Sequence, residues 1–189
     1  MVYPMATVRR GESMSVRPIL TAGNPLLRQK SKKVTHFGEA LRNLVVDMVA
    51  TLHAVHGLGL AAPQVGVSQR VFIVEMAAEY DESGEEIAPA ESYVLANPEI
   101  VKSRGEDEME EGCLSVPGYR GTVKRATSVT IKGQDLRGKP VRYRGDDLLA
   151  QAFQHELDHL NGILYLDRLE STDKLWRLQP GQPEEEVAQ

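Results

Sequence analysis

The segment QHELDHLNG, Gln154 to Gly162, sets two histidines four residues apart with Glu156 directly after the first. On a helix that spacing stacks His155 and His159 on one face, one turn apart, where two imidazoles can share a divalent metal. A catalytic metal site usually takes three protein ligands and keeps one position open, so a third ligand has to come from elsewhere in the chain.

At about 100° per residue, Leu149, Ala152, Phe153, Leu157 and Leu160 form an apolar arc, with Gln151, Gln154, Asp158 and Asn161 opposite. His155 and His159 fall at the edge of the apolar side and Glu156 within it. All three are expected to point inward, and Asp158 away. Buried without partners they would be costly, and a metal with its water would supply those partners. The plain alternative is a surface histidine pair, since H-E-x-x-H also arises by chance.

A zinc peptidase would extend the motif to a third histidine, but Tyr165 stands at that position. Glu170, Glu184, Glu185 and Glu186 are unconvincing as a downstream carboxylate ligand. Upstream, Cys113 is the candidate, in EEGCLSVPG, where Gly112 and Pro117–Gly118 fix the backbone on both sides. A thiolate with two imidazoles is a sound set for Zn2+ or Fe2+. A lone cysteine packed as a small hydrophobe is the competing reading.

Several elements must hold these residues. Leu41, Leu44, Val45, Met48, Leu52 and Val55 recur at helical spacing from about Gly38 to His56, and Gly57 and Gly59 end that helix. RVFIVEM, residues 70–76, reads as a buried strand. Residues 79–91 read as an acidic loop. YVLANPEIV, the segment around CLSV, and the stretch from Gly121 to Gly145 alternate as antiparallel strands with glycine turns. Asp146 and Asp147 offer an N-cap for a helix through Asn161, with Gly162 at its exit. The predicted fold is a single α+β domain of short antiparallel sheets around a central helix that carries the metal motif. Residues 1–17 are expected to be a flexible arm, 18–178 the catalytic domain and 179–189 a disordered tail; Met14 is a second candidate start.

The 189 residues suffice for one well-buried domain. A net charge of −5 argues against a general basic field for nucleic acid, without excluding a local basic patch. No direct nucleic-acid recognition is expected. The longest apolar stretch is broken by Asp47, His53 and His56, so no membrane span is expected either. One cysteine and no secretory signal point to a reducing cytoplasm.

Three stretches in series, GLGLAAPQ (57–64), EGCLS (111–115) and QHELDH (154–159), resemble the three signature motifs of the peptide deformylases. The wider resemblance covers roughly residues 19–169. It implies that Cys113, His155 and His159 bind the metal, usually Fe2+, with Zn2+, Ni2+ or Co2+ able to replace it. It implies hydrolysis of the N-formyl group from an N-formyl-methionyl peptide, with Glu156 as acid and base. Gln64 and the Leu114 N–H would then stabilise the oxyanion. Leu58, Gly59, Met109, Glu111, Arg120 and Ala152 are implied around the substrate, with Leu58 and Gly59 pairing with its backbone. Transient ribosome association is a further implied partner, although Pro180, Gly181 and a Glu run follow Trp176 where some relatives carry a long basic helix. His36, His53 and His56 match no motif position and are expected at the surface or at helix ends. A broader metallopeptidase and a non-catalytic metal-binding module are the rival readings.

Overall fold

The apolar run after Arg70 forms a strand, β2 (Val71–Met76), and its alternation sets the architecture. The computed structural model describes residues 14–179. Successive strand side chains point to opposite faces. Val71 and Ile73 pack on α1 (Glu39–Ala54), against Leu41, Leu44, Val45, Met48 and Leu52. Phe72 and Val74 face α2 (Asp147–Leu160), against Ala150, Ala152, Phe153 and Leu160. Both faces of β2 are therefore core, which is why it reads as a continuous apolar run.

β2 lies in a five-stranded antiparallel sheet, ordered β1 (Gly59–Ala61), β2, β5 (Glu91–Arg104), β8 (Ser128–Gln134) and β9 (Pro140–Asp146). A second sheet joins β10 (Leu175–Arg177), β7 (Tyr119–Arg125) and β6 (Asp107–Gly112). α2 packs on the first sheet with its apolar residues and bonds to the second through its polar ones. The chain is a small single α+β domain, as its sequence predicts.

Both helices end within two residues of their expected limits. Asp146 occupies the N-cap position of α2 but makes no side-chain capping bond. The acidic loop is more ordered than expected, because β3 (Glu79–Tyr80) and β4 (Glu86–Ala88) pair across a turn held by Asp81. Of the expected arm, residues 1–13 lie outside the described residues. The Ser15 N–H and the Arg17 guanidinium bond to Asp47 of α1. Of the expected tail, residues 180–189 lie outside the described residues.

The exit of α2 is tied down, which matters because the helix carries the metal motif. The Leu160 carbonyl accepts from the Ser31 N–H at 2.9 Å and from Arg70 Nη1 at 3.0 Å. Gly162 follows with φ +76, and a Cβ there would lie 2.7 Å from the Arg28 carbonyl carbon. The left-handed conformation and backbone contact both call for glycine. Gly162→Ala is expected to cost about 1–3 kcal/mol, read as a lower urea midpoint. An unchanged midpoint would show that the turn gives way freely.

Candidate active site

α2 brings His155 and His159 together as its period requires, with their Nε2 atoms 3.2 Å apart. Cys113 leaves the end of β6 and turns its Sγ to 3.3 Å from His159 Nε2. The ligand atoms of Cys113, His155 and His159 all lie within 4.8 Å of one another, a three-donor set fit for a divalent metal. Tyr165, at the position of a peptidase's third histidine, is instead buried beside Val116, Val123 and Leu164.

The ring of His155 is aimed from behind. Its Nδ1 meets Glu111 Oε2 at 2.9 Å, leaving Nε2 to face the other donors. Glu111 is in turn gripped by Arg125, at 2.7 and 2.9 Å. Burial alone would raise the Glu111 pKa, but the His155 and Arg125 bonds overcome it and bring it to about 2. Arg125 also reaches Asp158 at 2.7 Å, and Asp158 takes a second cation, Arg168, at 2.6 and 3.0 Å.

Asp158 therefore does not point away from the protein, as the wheel implied; it is buried. A helical wheel separates apolar from polar arcs, whereas α2 is covered on both sides, and its polar arc meets β7 and the segment after the helix. Arg125, Asp158 and Arg168, which brace the site from behind, are residues that sequence reasoning missed. Only the Asp inside HELDH gave a hint of them.

Burial disfavours protonation of His155, yet its bonds to Cys113 and Glu111 prevail and hold its pKa well above the usual value. Burial, helped by the facing His155, drives His159 well below it. Burial pushes Glu156 up to about 7, and its Oε2 is buried with no hydrogen-bond partner among the described residues. A Cβ on Gly59 would lie 2.5 Å from Glu156 Oε1, so the missing side chain makes room for this carboxylate.

Gln64 is oriented by its neighbours. Its Oε1 accepts from the Ala61 N–H at 2.8 Å, which turns Nε2 toward Ser115 Oγ at 3.2 Å and Cys113 Sγ at 3.8 Å. The Leu114 N–H donates to no group among the described residues.

A cavity of about 230 Å³ opens beside these groups. Leu58, Gly59, Gln64, Glu111, Cys113, Leu114, Arg120, Ala152, His155 and Glu156 line it. Among the expected site residues, His159 lies behind its wall, and Met109, half-buried opposite Val123 on β7, does not line it. His56, expected only at the surface or a helix end, also lines it, as do Tyr119, Leu148, Gln151 and Leu178, which were not among the expected site residues. His53 sits in the last turn of α1, 2.6 Å from Glu75.

The sequence model of the polypeptide deformylase family matches residues 16–175. The chain belongs to the polypeptide deformylase family. A peptide deformylase of Thermomicrobium roseum is 46% identical over 172 residues, covering 91% of this chain and 96% of that protein. The crystal structure of a peptide deformylase from Legionella pneumophila is 46% identical at a TM-score of 0.74, covering 85% of this chain and 89% of that one. A class I type b peptide deformylase from Acinetobacter baumannii, solved with Met-Ala-Ser bound, is 37% identical at 0.74, covering 83% and 100%. The family's reaction is metal-dependent removal of the N-formyl group from nascent peptides, so this deformylase is a hydrolase of protein biosynthesis.

Because Glu111 hydrogen-bonds the donor set at His155, Glu111→Gln should weaken metal binding by about 10–100-fold. Titrating the refolded apoprotein with Co2+ and following its visible absorption checks this. Unchanged affinity in a variant with normal circular dichroism would remove Glu111 from the support of His155.

Proposed function

We propose that Cys113, His155 and His159 hold Fe2+ in the working enzyme, with Zn2+, Ni2+ or Co2+ able to take the same ligands. The observation that carries this reading is the convergence of those three donors beside Glu156, a buried carboxylate with an unpartnered oxygen. When bound, the metal supplies Lewis acidity and lowers the pKa of a water.

The chain's own residues do the rest. Glu156 takes the proton of the attacking water and returns one to the leaving amine. Gln64 Nε2 and the Leu114 N–H donate to the formyl oxygen as negative charge builds on it. Water adds to the formyl carbon, the C–N bond breaks, and formate and a free α-amine leave.

β1 is an edge strand, so an N-formyl-methionyl peptide pairs with the backbone at Leu58 and Gly59 as an added strand. Its methionine side chain lies among Leu58, Leu148, Ala152 and the stem of Glu111, with Arg120 nearer the following residues. The Met-Ala-Ser of the Acinetobacter relative supports a peptide that begins with methionine. Residues 18–178 are the catalytic domain in this reading. The lone thiol and the nascent-chain substrate suit the cytoplasm and transient contact with the ribosome.

Formate release from formyl-Met-Ala-Ser, with Fe2+ or Ni2+ and without oxygen, tests the reading. Formate should appear while unformylated Met-Ala-Ser stays intact; cleavage of an internal peptide bond instead would make the chain a broader metallopeptidase. Glu156→Ala should keep its metal and lose about 10²–10⁴-fold in kcat. Loss of metal together with activity would recast Glu156 as a ligand.

A coordinating thiol is deprotonated and shielded by its metal. Cys113 should therefore resist alkylation in the loaded protein and react after chelation, read by intact mass because it is the sole cysteine. Equal rates in both states, at one metal per chain, would take Cys113 out of the site.

A further inference from the structure

The five-stranded sheet carries a basic face well away from the cavity. Val129 and Ile131 of β8 and Tyr143 of β9 turn toward α2. Their neighbours Ser128, Thr130, Lys132, Arg142 and Arg144 therefore turn to the other face. The second half of β5 joins them, because register shifts at 96–99 and 100–102 set Lys102 opposite Thr130 and Arg104 opposite Ser128. Thr130 in turn pairs with Arg144, and Lys132 with Arg142.

Five cations, Lys102, Arg104, Lys132, Arg142 and Arg144, are exposed on this face of a chain whose net charge is −5. Glu99 partners Lys132 and Asp146 partners Arg144. Lys102, Arg104 and Arg142 have no ion pair among the described residues. Beside Lys102 and Arg104 a notch of about 50 Å³ is lined by these two with Arg144, Ser128, Thr130 and Val129, a set whose cations and hydroxyls suit a phosphate.

We propose that this face docks the phosphate backbone of RNA. Protein interfaces bury an apolar centre, and membrane surfaces take inserted apolar side chains, but among the described residues of these strands Val101 is the sole large exposed apolar side chain, too little for either. It also presents no aromatic platform for stacking a base, so it would hold phosphates without reading sequence. Charge complementarity is then its whole basis, which fits a polyanion. RNA is the polyanion where nascent peptides are made, so the choice of RNA rests on the deformylase reading.

Fluorescence anisotropy of the metal-loaded enzyme with a labelled RNA hairpin, across a salt series, tests this. Binding at 50 mM salt is expected, with log K falling against log salt at a slope of about −4 for five phosphate contacts. The triple variant Lys102→Glu, Arg104→Glu, Arg142→Glu should bind at least about tenfold more weakly, with the slope reduced by roughly 2–3. Wild-type binding unmoved by the triple variant would overturn the proposal, as would no RNA binding at 50 mM salt. Retention on phosphatidylserine vesicles in the absence of RNA binding would also overturn it, by making the face a membrane contact. Formate release on the same preparations keeps the two readings apart. It should be equal in wild type and triple variant, and its absence from both would sink the deformylase reading while leaving the measured RNA contact standing.

Discussion

Arg125 is the tie on which the geometry of the site depends. Its guanidinium is 3% exposed and lies between two buried carboxylates, Glu111 of β6 and Asp158 of α2. Taking these charges out of water is costly, and removing one partner from such a cluster typically costs about 3–5 kcal/mol. What the arrangement returns is direction. Apolar packing against the first sheet allows α2 small rotations, whereas a planar fork bonded to both carboxylates does not. Because Glu111 also holds His155, the donor that turns toward a metal and the helix that carries it are fixed by one side chain.

The first motif and the third explain each other through space. Gly59, an edge residue on β1, has no side chain where the Glu156 carboxylate lies. The glycine thus makes room for that carboxylate as well as for any substrate backbone. Gln64 shows the same economy: its oxygen is held by the Ala61 N–H within the first motif, and its nitrogen faces the second. A residue type that looks permissive in one motif is therefore dictated by a side chain in another.

Much of this was legible in the sequence, and the failures have physical causes. The helices and β2 announced themselves by period, because each buries a full stripe or both faces. The donors were legible by residue type, with Cys113 already the candidate third ligand before the resemblance pointed to it as well. Asp158 was misplaced because a wheel assumes one wet face, and α2 has none. The β3–β4 hairpin was hidden because its strands are two and three residues long and its turn depends on Asp81 accepting backbone N–H groups. β10 was hidden because its register against Tyr119–Gly121 is a contact between segments more than fifty residues apart, of which three residues of sequence carry no trace.

The order of the first sheet gives its two edges separate tasks. β1 is one edge and β9 the other, with β2, β5 and β8 between them. At about 4.8 Å between neighbouring strands, the edges stand roughly 19 Å apart. A peptide added beside β1 lengthens the sheet at the cavity, where α2 presents the donors and Glu156. The exposed cations gather on β5, β8 and β9, toward the other edge and on the face turned from α2. A polyanion held there would leave the β1 edge open to an incoming chain, so anchoring and turnover need not compete for the same surface.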